Sequence, residues 1–178
     1  GNLSLAQKLI NDIRFIMPSA WIDWQYIEEN NDQWCLVQAQ SFAQGTYKKV
    51  KNYSIRSHFS RFIKEGYTFL NVLNGQTLAA RNPEGDELVL VAINTGAAGV
   101  RHTVDLSMYE SVGSDIKAYF TDETEDLAPY SAFTLADGKF TFELPALSIA
   151  TFVIPVTAGD KADNTLTTDR NYLVCPRT

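Results

Sequence analysis

Residues 67–81, with the sequence YTFLNVLNGQTLAAR, decide the fold class of this chain. Their apolar residues recur with the period of two that is typical of a β-strand, and Asn74-Gly75 interrupts them. Because an Asn-Gly pair favours the tight turn of a β-hairpin, the stretch predicts two antiparallel strands, at 67–73 and 76–81.

The period of two continues beyond this hairpin as far as Val156. Turn-forming residues divide it into short segments, at Asn82-Pro83-Glu84-Gly85, Thr95-Gly96 and Asp137-Gly138. The further candidate strands are 87–94, 100–106, 115–121, 139–144 and 149–155. Short strands at this spacing predict an antiparallel, immunoglobulin-like β-sandwich over residues 67–156.

The first 66 residues mostly follow a helical period instead. Residues 3–16 predict an amphipathic helix, and residues 19–27 (SAWIDWQYI) predict a strand rich in aromatic residues. A second helix is predicted over residues 52–64, with Asn52 as its N-cap and Gly66 as its C-terminal stop. Helix, strand, loop and helix in this order are typical of a parallel α/β unit.

Residues 157–178 form a third, polar part of the chain. They contain few large apolar residues before Tyr172-Leu173-Val174. They form either a frayed end or a tail that returns to pair with a sheet edge, and we favour edge pairing for residues 170–175. A chain that opens on Gly1 without a methionine is expected to be a piece of a longer protein.

Composition excludes several classes of function. The 178 residues carry a net charge of −6, which is opposite in sign to the basic surface of a nucleic-acid-binding protein. The apolar runs are too short for a membrane span of about 30 Å. His58 and His102 stand apart and are expected to be surface or packing residues rather than catalytic bases, and neither Cys35 nor Cys175 has a second ligand at zinc spacing. We therefore expect no metal and no cofactor.

Acidic side chains near the aromatic strand offer little for catalysis. Glu28 and Glu29 are adjacent and point apart, whereas the two carboxylates of a retaining glycosidase face each other about 5–5.5 Å apart. A solvated acidic loop is the favoured interpretation of this pair. Asp23 lies within an apolar strand and is expected to have an ion-pair or hydrogen-bond partner.

The aromatic residues Trp21, Trp24, Tyr26 and Trp34 allow two interpretations. Indole and phenol rings in a cleft bind sugar rings by stacking, but tryptophan is also one of the more buried residues in protein cores. In an extended strand, Trp24 and Tyr26 share one face and Trp21 lies on the other. The sequence alone leaves the choice between a sugar site and a core open.

Three segments resemble glycoside hydrolase family 30, which includes glucosylceramidases, glucuronoxylanases and β-1,6-galactanases. These are AWIDWQ at 20–25, QWCLV at 33–37 and YSIRSHFSRFIKEGY at 53–67, and LPALSIATF at 144–152 is a weaker match. The first is similar to the eighth strand of the family's (β/α)8 barrel, and the third to its last helix, which leads into a β-sandwich. The resemblance covers about residues 15–156.

The resemblance implies a mixed α and β chain: a partial (β/α) barrel end over 1–66, an immunoglobulin-like sandwich over 67–156 and a tail over 157–178. The family's two catalytic glutamates lie on earlier barrel strands, so no catalytic residue is expected here. The position of Trp24 lines the sugar-binding cleft, and Trp34 and Tyr26 are expected to contact substrate more loosely.

Two functions of different classes follow. In the first, the chain is the C-terminal portion of a secreted or periplasmic retaining O-glycosyl hydrolase that acts on a β-linked polysaccharide or glycoside, and it is inactive alone. In the second, it is a free-standing carbohydrate-binding or adhesion β-sandwich. An intact hydrolase using Glu28 or Asp23 is disfavoured because an opposing carboxylate is missing.

Since a lone parallel strand exposes backbone and apolar groups, we also expect self-association through residues 1–66.

Overall fold

A computed structural model of the chain describes residues 3–159 and 165–166. Its two α-helices are α1 (Ser4–Asn11) and α2 (Lys51–Ser60), and a π-helical turn at Asp12–Ile16 continues α1. Met17 ends this turn with a left-handed backbone, at a φ of 50°. The helix predicted over residues 3–16 is therefore present, with its last turn wound more loosely than an α-helix.

A small three-stranded sheet lies between the two helices in the sequence. Its strands are β1 (Ile27–Glu29), β2 (Val37–Ser41) and β3 (Thr46–Lys49). The strand β2 is central, and it pairs in parallel with β1 and antiparallel with β3. No closed barrel forms among the described residues.

The strand predicted over residues 19–27 is wrong in its extent, because only Ile27 belongs to a strand. A strand exists through hydrogen bonds to a neighbouring strand, and none of the described strands pairs with residues 19–26. The one backbone acceptor used just before β1 is the Tyr26 carbonyl, which accepts from the amides of Leu36 and Val37.

All seven strands predicted between residues 67 and 156 are confirmed, and three short ones were missed. The strands are β4 (Thr68–Val72), β5 (Thr77–Arg81), β6 (Glu87–Asn94), β7 (Val100–Asp105), β8 (Tyr109–Val112), β9 (Lys117–Thr121), β10 (Ala128–Pro129), β11 (Phe133–Ala136), β12 (Lys139–Leu144) and β13 (Ser148–Ala158). The missed strands are β8, β10 and β11, each of four residues or fewer.

These strands form two sheets that share one core. The larger sheet has the order β10-β9-β13-β6-β5-β4, with β8 beside the end of β13, and the smaller has the order β11-β12-β7. Their pairings are antiparallel. Leu90 and Phe152 from the larger sheet and Phe140 and Phe142 from the smaller belong to the same buried cluster.

The helices cover the other face of the larger sheet. A second buried cluster joins Ile10 of α1 and Ile55 of α2 to Leu78, Val91 and Ile149 of the sheet. Strand β6 is therefore buried on both faces, which explains why its residues 88–93 are continuously apolar rather than alternating.

The helix α2 begins and ends differently from the prediction. Its N-cap position is Val50, and Asn52 lies buried inside the first turn, where its side chain donates to the carbonyls of Gln33 and Cys35. Asn52 is therefore not the N-cap, because the helix already begins at Lys51 and its N-cap position, with extended backbone, is Val50. The helix ends at Ser60, and Gly66 follows only after a further turn, with a φ of 86°.

Beyond β13, the structure describes a short strand β14 (Thr165–Leu166). It pairs in parallel with Asn71 and Val72 at the edge of the larger sheet. Residues 170–175, for which edge pairing was predicted, lie outside the described residues.

Candidate functional site: an exposed aromatic face beside the parallel strands

The segment before β1 keeps the alternation of a strand even though it has no strand partner. Ile22, Trp24 and Tyr26 are 89%, 75% and 65% exposed, whereas Trp21 and Asp23, which alternate with them, are half-buried. The predicted division into two faces is therefore present. One face is directed to solvent and the other towards the helices.

The structure brings two of the predicted substrate-binding residues together. Trp24 and Trp34 line the same cavity of about 350 Å³, beside Asp23, Gln33 and Lys8. Trp34 is 63% exposed, so neither indole belongs to a core. Tyr26 is exposed but is not among the residues that line this cavity.

Contacts on the helix side fix the backbone under Trp24. The Asp23 carboxylate accepts a hydrogen bond from the Trp24 amide at 3.0 Å and lies 3.8 Å from the Arg56 guanidinium of α2. Arg56 also lies over the Trp21 ring, 4.7 Å from its centroid. Trp21 in turn donates from Nε1 to Asp12 at 2.9 Å. The partner expected for Asp23 is thus Arg56, together with the neighbouring amide. The Trp24–Gln25 peptide bond is cis.

The loop that carries Trp34 is held by buried polar contacts. The Asn52 amide donates to Gln33 O at 3.0 Å and to Cys35 O at 3.4 Å, so it binds the carbonyls on both sides of Trp34. The Cys35 thiol donates to Asn31 O at 2.8 Å, and burial raises the pKa of this thiol. The role of Asn52 was missed, because in the sequence it resembles a helix cap.

The acidic residues after the aromatic segment lie in β1 rather than in a loop. Glu29 is exposed and accepts a hydrogen bond from the Phe42 amide at 3.2 Å, and Glu28 is half-buried. As consecutive residues of a strand they lie on opposite faces, so they do not oppose each other as two glycosidase carboxylates would.

Both histidines are buried packing residues, as expected. His58 joins α2 to the larger sheet through Thr151 and Thr121, at 2.8 Å on each side of its ring. Burial lowers its pKa to about 3. His102 lies 3.2 Å from the Asn74 amide, inside the sheet region. Neither ring reaches the aromatic cavity, whose lining contains no histidine.

Among residues 3–159 and 165–166, no group of three or more His, Cys, Asp or Glu side chains could hold a metal ion. In the same part of the chain, neither α-helix has the length and apolar character needed to cross a bilayer.

Comparisons with known proteins agree with the pattern of motifs. The chain is 31% identical over 108 residues to glucuronoxylanase XynC of Bacillus subtilis, which is 55% of this chain and 23% of that enzyme. It is 24% identical over 156 residues to endo-β-1,6-galactanase of Hypocrea rufa, 85% of this chain and 32% of that enzyme. No protein-family model matches it.

The solved catalytic domain of GH30 xylanase C from Talaromyces cellulolyticus superposes with a TM-score of 0.70 at 25% identity. The match covers 85% of this chain and 34% of that domain, in the C-terminal part of the enzyme. The chain is related to the C-terminal part of family 30 glycoside hydrolases. The predicted resemblance to family 30 is thereby confirmed. The chain spans about a quarter to a third of the length of these relatives.

A second family 30 structure shows the same fold. The xylanase Xyn30A from Clostridium acetobutylicum superposes with a TM-score of 0.67 at 24% identity, over 86% of this chain and 38% of that one. Family 30 enzymes therefore also contain this arrangement of the two helices, the parallel pair β1 and β2, and the larger and smaller sheets.

Proposed function

We propose that this chain is the C-terminal portion of a retaining O-glycosyl hydrolase that acts on a β-linked polysaccharide or glycoside. Residues 1–66 give the end of the barrel, residues 67–156 the bracing, immunoglobulin-like sandwich, and residues 157–178 a tail. The catalytic carboxylates belong to another part of the enzyme, and this chain alone is inactive. The observation that carries the proposal is the exposure of Trp24 and Trp34 in one cavity.

The chemistry of this cavity suits a sugar. Indoles are large apolar surfaces that a soluble protein normally buries, so two exposed indoles beside one cavity indicate a binding role. The apolar face of a pyranose stacks on such a ring, and polar groups beside it bind the hydroxyls. Trp24 is proposed to line the glycone end of the sugar-binding cleft. Trp34 and Tyr26 are proposed to contact the substrate more loosely.

One observation counts against a free-standing carbohydrate-binding sandwich. Such a module needs exposed aromatic residues on one of its own sheet faces. Between residues 67 and 156, every Phe and Tyr is buried or half-buried, and Leu147 is the large apolar residue of that range that is exposed. The aromatic surface therefore belongs to the barrel-end part.

The same part of the chain is the proposed site of self-association. Nine of the large apolar residues in residues 3–47 are exposed: Phe15, Ile16, Met17, Ile22, Trp24, Tyr26, Trp34, Phe42 and Tyr47. A surface of this kind favours association with another apolar surface, and a second copy of the chain offers one.

A parent enzyme that acts on a polysaccharide would be secreted or periplasmic, where a large polysaccharide is accessible.

The proposal is tested by the binding of xylohexaose and a β-1,6-galacto-oligosaccharide to the isolated chain, measured by NMR titration. We expect one of them to bind, and Trp24→Ala and Trp34→Ala each to weaken its binding at least several-fold. Leu147→Ala, an exposed apolar residue of the sandwich part, is the control and leaves binding unchanged. Binding that survives both tryptophan substitutions would contradict the proposal.

A further inference from the structure

We propose that Asp23 and Arg56 are positioning residues that hold Trp24 in its sugar-facing orientation. The inference rests on the proposed role of Trp24 in sugar binding. It concerns a different property, namely how an indole with few supporting contacts is kept in place.

Trp24 needs support from its backbone. Its side chain is 75% exposed, so packing against the protein does little to fix the indole. A binding ring that is free to move loses affinity, because the sugar must then order the ring as well as itself. The placement of the Trp24 backbone sets the direction of its Cα–Cβ bond. Neighbouring groups must therefore hold this backbone in place.

Asp23 links that backbone to helix α2. Its Oδ1 accepts from the Trp24 amide at 3.0 Å, and its Oδ2 lies 3.8 Å from Nη1 of Arg56. The two carboxylate oxygens therefore serve different partners, and one carboxylate connects residue 24 to the helix. The side chains of both Asp23 and Arg56 are about three-quarters buried.

Arg56 is itself held in place on its other side. Its guanidinium lies over the Trp21 ring at 4.7 Å, and Trp21 donates to Asp12 in the turn that continues α1. Stacking and ion pairing at once require a planar guanidinium, which lysine does not offer. Both helices therefore contribute to one contact path that ends at the Trp24 amide.

The test uses the full chain labelled with 5-fluorotryptophan, whose three ¹⁹F resonances are assigned by substituting each tryptophan with phenylalanine. Arg56→Lys keeps the charge and removes the planar stack, and Asp23→Ala removes both contacts of the carboxylate. We expect both variants to shift and broaden the Trp24 resonance while the Trp34 resonance stays in place. We also expect at least a several-fold weaker affinity for xylohexaose.

Arg61→Lys is the matched control, because Arg61 lies at the C-terminal end of α2 and its guanidinium lies over Phe62 and Tyr119 instead. It should leave the Trp24 resonance and the affinity unchanged. A Trp24 resonance that is identical in wild type, Arg56→Lys and Asp23→Ala would overturn the inference. If the resonance moves as expected but wild type binds neither xylohexaose nor the galacto-oligosaccharide, the positioning role stands and the proposed function fails.

Discussion

His58 and Thr151 are joined by two hydrogen bonds that connect helix α2 to the central strand β13. The Thr151 hydroxyl donates to the His58 carbonyl at 3.0 Å, and its oxygen also lies 2.8 Å from Nδ1 of the His58 ring. Because that hydroxyl has one proton, Nδ1 carries the proton of the second bond, and Nε2 accepts from Thr121. The Thr121 oxygen is then available to accept from the Leu127 amide at 2.9 Å. The ring is neutral, and every polar atom of the group is satisfied.

The first prediction concerns the pH dependence of stability. The folded-state pKa of His58 is about 3, against 6.5 for an ordinary histidine. The unfolded chain therefore binds more protons between these values, so the contribution of His58 falls as the pH drops from about 6.5 towards 3. The loss approaches roughly 5 kcal/mol at the low end of this range. Urea unfolding at pH 7, 5 and 4 should show this slope, and His58→Gln should reduce it. An equal slope in both proteins would contradict the assignment.

The second prediction isolates the hydrogen bond itself. Thr151→Val keeps the shape of the side chain but leaves the His58 Nδ1 proton without its acceptor. We expect the free energy of unfolding to fall by about 1–3 kcal/mol. Thr157→Val, in an exposed part of the same strand, is the control and should change it by less than about 0.5 kcal/mol. Equal effects of the two substitutions would show that the His58 contact adds no stability.

The third prediction concerns the Trp34 loop. Asn52→Ala removes the donor from the buried contact with Cys35 O and the part-buried contact with Gln33 O, and it should lower the free energy of unfolding by about 1–3 kcal/mol. It should also weaken xylohexaose binding, because the residues on both sides of Trp34 are released. Asn11→Ala, which removes an exposed amide from α1, is the control. Unchanged binding in a folded Asn52→Ala variant would separate Asn52 from the sugar site.

The fourth prediction concerns self-association. Ile22→Lys places a charge on the most exposed of the large apolar side chains, and we expect it to shift the sedimentation profile towards the monomer. Leu147→Lys, on the sandwich part, should not. A wild-type chain that sediments as a monomer over the accessible concentration range would rule out this interface.

Much of the sheet region could be predicted because its signals are local. Alternation and turn residues such as Asn74-Gly75 define each strand without knowledge of its neighbours. Two of the missed strands lack these signals, whereas β11, which alternates and ends at the Asp137-Gly138 turn, carries them and was missed in spite of them. Strand β10 has only two residues and contains Pro129, and β8 has four residues that are mostly exposed or half-buried. Such edges form because a longer strand already lies beside them.

The site could be predicted only in part, because its residues are defined by contacts between distant segments. The alternation of residues 21–26 predicts which side chains share a face, but not whether that face is buried. The strand over residues 19–27 was wrong because a strand depends on a partner. The contacts of Asn52 with the Trp34 loop and of Arg56 with Asp23 depend on how α2 packs, which no local pattern reports.

The most direct test of the central claim is a one-dimensional NMR time course of the purified chain mixed with xylohexaose and, in a second sample, with the β-1,6-galacto-oligosaccharide, one of which is expected to bind. If residues 1–66 form a sugar-binding barrel end whose catalytic carboxylates lie elsewhere, the sugar signals broaden with wild type but not with the Trp24→Ala, Trp34→Ala double variant. No new reducing-end signals appear over days. New reducing-end signals, or broadening that is the same with the double variant, would contradict the account.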